Sequence, residues 1–168
     1  MEAKQQTRVH IRWFIRRDMP EVLRIEQASH DFPWCEEDFL RCLCQRNCVG
    51  MVAEQGENVV GFMIYELHKT KLHIMNFAVH AEHRRSGIGM QMVENLIRKL
   101  SSRRRTKITL ELRETNLDAQ FFFRAAGFRA VGVAREWYPD SGEDAYLIEY
   151  RLRMPSDEFA EVENRIGA

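Results

Sequence analysis

Little in this sequence marks a metal centre, a membrane segment or a polyanion-binding surface, and each absence narrows the function. Cysteine is confined to one stretch, Cys35, Cys42, Cys44 and Cys48. That spacing matches no common zinc pattern, so no metal is expected, and free thiols in a reducing compartment are. The formal net charge is zero, from 25 basic and 25 acidic side chains, so no global field draws the chain to nucleic acid or to an acidic membrane. The basic run Arg103-Arg104-Arg105 with Lys107 has no interleaved aromatic residue, which a base-stacking surface needs, and reads as a solvated loop. No apolar run approaches the ~18 residues of a transmembrane helix, and the polar N-terminus lacks the apolar centre of a signal peptide. The expectation is a cytoplasmic protein that binds neither nucleic acid nor membrane directly. Repeats and low-complexity linkers are absent too. So is the Gly-Lys-Ser/Thr of a Walker loop, and the first glycine of a dinucleotide fingerprint is missing.

What is present reads as one α/β domain. Residues 1–7 are polar and expected to be loose. A strand is predicted over 9–15. Asp18 caps a helix with Pro20 in its first turn and Val22, Leu23 and Ile25 along it. Asp31-Phe32-Pro33-Trp34 breaks that helix, and a short one follows over 36–44. Strands are predicted over 49–54, 59–68 and 71–79. A helix over 88–100 sets Ile88, Met92, Val93, Leu96, Ile97 and Leu100 along one stripe. Residues 107–112 alternate Ile108, Leu110 and Leu112 with Thr109 and Glu111, as a strand does. Asn116 opens a helix that Gly127 ends. Residues 128–133 and 145–151 form a final pair of strands. The order β-α-α-β-β-β-α-β-α-β-β predicts a single domain over 8–153, a mixed sheet with helices on both faces. Residues 154–168 form a tail with room for a short helix.

The most informative six residues are Arg84-Arg85-Ser86-Gly87-Ile88-Gly89. They join the apolar strand to the amphipathic helix that follows. The first N–H groups of a helix have no partner inside it, and the helix dipole favours an anion there. Gly87 and Gly89 allow a phosphate to approach the backbone without a Cβ in the way, and Arg84 and Arg85 add positive charge. The ligand suited to such a cradle is a nucleotide or coenzyme pyrophosphate. The bland alternative is a loop that only turns into a helix.

Four pieces in order, Asn76-Phe77-Ala78-Val79, Arg84-x-x-Gly87-x-Gly89, Leu110-Glu111-Leu112-Arg113-x-x-Asn116 and Phe123-x-x-x-Gly127-Phe128, resemble the GNAT-type N-acetyltransferases. The likeness spans residues 9–151. Phe32-Pro33-Trp34, the 110–116 segment, and Trp137-Tyr138-Pro139 followed by Gly142-Glu143-Asp144-Ala145 narrow it to the RimI type, the ribosomal-protein alanine N-acetyltransferases. The resemblance implies a mostly antiparallel twisted sheet and acetyl-coenzyme A as cosubstrate. It implies that Phe77, Ala78 and Val79 hold the pantetheine arm and that one N–H there polarises the thioester carbonyl. Arg84, Arg85, Ser86, Gly87, Ile88, Gly89 and Met90 would cradle the pyrophosphate. Asn116 would bond the coenzyme, cap its helix, or both. Glu111 would be the general base, its plainer alternative being a partly wetted carboxylate paired with an arginine. Trp34, Trp137 and Tyr138 would line an open groove for the acceptor. An N-terminal α-amine (pKa ~8) costs roughly 3 kcal/mol less to deprotonate at neutral pH than a lysine (~10.4), which suits a protein N-terminus as acceptor.

The sequence departs from that pattern at three places. Phe123 stands where the family has a tyrosine that protonates the departing thiolate. Three consequences are open: the thiolate (thiol pKa ~8.5) leaves unaided, Tyr138 donates the proton, or the protein binds acetyl-coenzyme A without fast turnover. On any of them Phe123 packs the pantetheine channel. Met90 replaces a basic residue after the glycine turn, and Cys35 replaces a better helix cap. The competing functions are a GNAT enzyme acting on a small-molecule amine or lysine, and a coenzyme-A-binding module without catalysis.

Overall fold

The computed structural model describes residues 6–154. Its elements run β1 (His10–Trp13), α1 (Met19–Ser29), α2 (Glu36–Leu43), β2 (Cys48–Gln55), β3 (Asn58–Leu67), β4 (Lys71–Val79), α3 (Ile88–Ile97), β5 (Lys107–Arg113), α4 (Leu117–Ala125), β6 (Arg129–Ala134) and β7 (Ala145–Arg151). The seven strands form one sheet in the order β1-β2-β3-β4-β5-β7-β6. All neighbours are antiparallel except β4 and β5. Parallel neighbours need a crossover connection, and α3 supplies it. The fold is the α/β architecture expected, with boundaries shifted by a few residues. The expected helix beyond Met154 lies outside the described residues. No helix among those described is long and apolar enough to cross a membrane.

Each face of the sheet buries one pair of helices. Ile88, Met92, Val93 and Leu96 of α3 and Phe123 of α4 pack on Leu72, Ile74, Ile108, Leu110 and Leu112. Met19, Val22 and Ile25 of α1 and Phe39 and Cys42 of α2 pack on Val52, Phe62, Ile64 and Ala78 of the other face. The strand β3 is therefore buried on both sides. At Gly61 a Cβ would lie 3.0 Å from Met92 Sδ and 3.3 Å from the Ala78 carbonyl, so glycine allows this close approach.

Two irregularities in β4 open the sheet. Tyr65 lies opposite Ile74 but Ile64 lies opposite Asn76, which makes Met75 an extra, bulged residue. Such a bulge bends its strand and resets the alternation of faces. Leu72 and Ile74 accordingly join the α3/α4 core, whereas Ala78 joins the α1/α2 core and Phe77 and Val79 take the α3 side. Pairing of β4 with β5 covers only Lys71–His73 against 107–109. Beyond it, β4 stays with β3 and β5 stays with β7. The two central strands splay, leaving the β5-facing edge of residues 74–79 without a strand partner among the described residues.

One expected cap is corrected. Asp18 does not cap α1 through its side chain. It is 3 % exposed and accepts from Arg12 at 2.7 and 2.9 Å and from the Ile15 N–H at 2.9 Å. The arginine outcompetes the helix N–H groups because a bidentate ion pair is the stronger bond. Burial pushes the Asp18 carboxyl up, but the Arg12 and Ile15 hydrogen bonds and the Arg12 charge outweigh it and the net shift is down. A carboxyl lowered in the folded state stabilises above its unfolded pKa of ~3.9, and that contribution is lost as pH falls through the folded value. Asp18→Asn is expected to lower the melting temperature at pH 7 and to narrow its gap to the wild type below pH 3. A gap independent of pH would refute the pairing.

Candidate active site

The cradle forms as a left-handed turn at the head of α3. Arg85 (φ 60°) and Gly87 (φ 85°) both occupy the left-handed region, a conformation uncommon for a residue with a Cβ. The first helical bond runs from the Gln91 N–H to the Gly87 carbonyl, 3.1 Å, so the N–H groups of Ile88, Gly89 and Met90 face out of the helix end. A Cβ on Gly89 would sit 3.1 Å from the Phe122 ring and 3.4 Å from Phe77. The two arginines part company. Arg84 donates to the Val79 carbonyl and to Ser29 Oγ, both at 3.0 Å, and so pins α1 to the end of β4. Arg85 is exposed.

The open edge of β4 runs from this cradle to a carboxylate. Phe77 stacks near Phe122 (5.7 Å between centroids) and Phe123 (6.0 Å). Phe123 is 3 % exposed and sits in the α3/α4 core against Phe128. Asn76, the first residue past the bulge, is 8 % exposed, and its Nδ2 has no hydrogen-bond partner among the described residues. On β5, Ile108, Leu110 and Leu112 point into the core, which puts Glu111 on the opposite face. Its Oε2 lies 2.9 Å from His73 Nε2, with the glutamate side chain 23 % exposed. His73 Nδ1 lies 2.6 Å from Thr109 Oγ1. A neutral His73 that accepts the Thr109 hydroxyl proton at Nδ1 donates Nε2–H to Glu111, which leaves Oε1 for another partner. His73 is a site residue that sequence reasoning passed over. Its signal was its place on the strand next to Glu111, readable only once the β4–β5 register is known.

Two loops flank Glu111, and Arg113 ties them together. Its guanidinium lies over the Phe32 ring at 4.8 Å and over the Tyr138 ring at 3.9 Å. It also donates to Asp140 at 2.7 and 3.0 Å and to Glu143 at 2.9 Å. Phe32 belongs to the α1–α2 loop and Tyr138 to the β6–β7 loop. Burial pushes the Tyr138 hydroxyl up to about 12, with the Arg113 charge opposing and the Glu111 charge adding to the rise. Trp137 is 51 % exposed on the same loop. Trp34 packs on Phe39 of α2 at 5.2 Å, and its backbone N–H donates to the buried Glu26 carboxylate at 2.9 Å. Phe32, rather than Trp34, is therefore the α1–α2 loop aromatic brought to Arg113. Asn116 caps α4, accepting from the Ala119 N–H at 3.2 Å.

An open helix mouth, a strand edge without a strand partner among the described residues and a carboxylate past the splay thus lie at the same end of the sheet. The chain matches the acetyltransferase (GNAT) family over residues 12–128 and belongs to that family. Within it, the chain is 30% identical over 139 residues to the [ribosomal protein bS18]-alanine N-acetyltransferase of Escherichia coli strain K12, covering 82% of this chain and 93% of that protein. The fold matches the crystal structure of the ribosomal-protein-S18-alanine N-acetyltransferase from Escherichia coli with a TM-score of 0.77, at 27% identity over 88% of this chain and 96% of that one. It matches Ard1 from Thermoplasma volcanium with a TM-score of 0.78, at 26% identity over 87% and 99%. The chain is an N-acetyltransferase of the RimI type.

Proposed function

We propose that this enzyme transfers an acetyl group from acetyl-coenzyme A to the N-terminal α-amine of a protein. The observation that carries this reading is the Glu111 carboxylate, held by His73 beside the place where β4 and β5 part. The residues present fit the cosubstrate: outward N–H groups at residues 88–90 for the pyrophosphate, and the open edge of Phe77, Ala78 and Val79 for the pantetheine arm. Glu111 takes the proton of the acceptor amine, directly or through a water. The amine nitrogen then bonds the acetyl carbon, the carbon–sulfur bond breaks, and the thiolate leaves. Phe32, Trp137 and Tyr138 line the acceptor side. Free thiols at all four cysteines suit the cytoplasm.

Tyr138 serves better as a wall than as an acid. With a hydroxyl near 12, proton transfer to a thiolate of pKa ~8.5 is uphill by about 5 kcal/mol. The thiolate is a tolerable leaving group unaided, so the loss of tyrosine at Phe123 is compatible with turnover. Tyr138→Phe is expected to lower kcat less than about threefold, whereas loss of a true general acid costs ~10²-fold or more. A hundredfold loss in kcat would reinstate Tyr138 as the acid.

The substrate class is tested with three acceptors: an alanine-initiated peptide with one internal lysine, the same peptide with a blocked N-terminus, and free alanine. Product mapping by mass spectrometry should find acetyl on the α-amine of the first peptide alone. Acetyl on lysine, or on free alanine only, would place the enzyme in another GNAT branch.

A further inference from the structure

We infer that residues 6–9 form a strap that shapes the coenzyme cradle, with Gln91 as the positioning residue that couples the two. The inference rests on the coenzyme reading above. The local cations are few: Arg84 is engaged with Val79 and Ser29, Met90 offers no charge, and the first turn of α3 carries no acidic or basic side chain beyond them. Within the turn from Arg84 to Met90, anion binding therefore depends mainly on Arg85 and on where the backbone N–H groups point.

The strap fixes that aim. The Thr7 N–H donates to the Ser86 carbonyl at 3.2 Å. The Gln91 side-chain amide donates to the Thr7 carbonyl at 2.6 Å and to the Gly87 carbonyl at 3.3 Å, and its Oε1 accepts the Val9 N–H at 3.3 Å. In a planar trans peptide the C=O and the following N–H point in opposite directions. Holding the Ser86 carbonyl directs the Gly87 N–H away from the strap, and holding the Gly87 carbonyl does the same for Ile88. The side chain of Gln6 fills the space behind the turn, 3.0 Å from where a Gly87 Cβ would be. Strap and ligand thus lie on opposite sides of the same two peptide planes. Thr7, at the end of the segment expected to be loose, is held by these bonds. By thermodynamic reciprocity, a strap that improves coenzyme binding must itself be tightened by the coenzyme.

Two measurements on the full chain test this. Calorimetric titration of acetyl-coenzyme A into Gln91→Met, which keeps the side-chain length and removes its hydrogen bonds, should show Kd raised about fivefold to tenfold, the order of one or two lost hydrogen bonds. The acceptor KM at saturating coenzyme should stay unchanged. Thr7→Pro, which removes the N–H to Ser86 by a change outside α3, should raise Kd in the same direction and guards against misfolding of the first variant. In the wild type, hydrogen exchange at Thr7 and Val9 should slow when acetyl-coenzyme A binds. A wild-type Kd in both variants, or exchange at Thr7 and Val9 indifferent to the coenzyme, would overturn the strap while leaving the coenzyme site intact. A wild-type protein that does not bind acetyl-coenzyme A would overturn the coenzyme reading and this inference with it.

Discussion

Glu111→Gln is expected to lower kcat by about 10²- to 10⁴-fold, the usual worth of a general base, while acetyl-coenzyme A binds within twofold of wild type. Glutamine keeps the shape of the side chain and can still accept the His73 Nε2–H, so the β4–β5 junction stays intact. What disappears is a group able to hold the proton of the attacking amine. In the wild type, the rate should rise with pH as the acceptor amine loses its proton, toward a plateau near its pKa of ~8. In the variant the residual rate should keep rising with hydroxide. Stopped-flow detection of the released thiol, with coenzyme affinity measured on the same preparation, separates loss of chemistry from loss of binding. Wild-type turnover in Glu111→Gln would make this carboxylate a structural partner of His73 and nothing more.

Gly87→Val is expected to raise the Kd for acetyl-coenzyme A about thirtyfold, the equivalent of about 2 kcal/mol of backbone strain. Gly87 sits at φ 85°, and a Cβ there would lie 3.0 Å from the Gln6 side chain. A β-branched residue at such a φ is a genuine outlier, so the turn must relax and its N–H groups lose their aim. Gly56→Val provides the control. Gly56 shares the left-handed backbone (φ 63°) in the β2–β3 turn, with nothing within 4 Å of its Cβ position. That variant should lose a similar amount of stability and keep its coenzyme affinity. Equal Kd changes in the two variants would mean that the effect is global destabilisation.

The element order was legible from periodicity because each helix buries one stripe and β5 alternates without interruption. The same alternation sets Glu111 on the face opposite Leu110 and Leu112. The turn between β4 and α3 was legible because Gly87 and Gly89 fall between an apolar strand and an amphipathic stripe. The bulge at Met75 was not, since Ile74-Met75-Asn76-Phe77 carries no glycine or proline to mark it, and the shift shows only against β3. The splay of β4 from β5 depends on a register between strands separated by a helix. His73 therefore stood near the cleft without a role, because only the register sets it beside Glu111. Trp34 was harder to place: a large aromatic beside a helix start fits a groove or a core equally well, and here the partly buried ring packs on Phe39. Arg113 entered only as part of the motif from Leu110 to Asn116, because its partners Phe32, Tyr138, Asp140 and Glu143 come from two loops distant in the sequence.

The most direct test is a crystal structure of the protein with acetyl-coenzyme A bound. The pantetheine arm should lie along Phe77, Ala78 and Val79 in the gap between β4 and β5, with the pyrophosphate on the N–H groups of residues 87–90 and the thioester beside Glu111. Coenzyme bound elsewhere, for instance in the ~410 Å³ cavity lined by Gln120, Arg124, Phe128 and Arg129 between α4 and β6, would contradict the account.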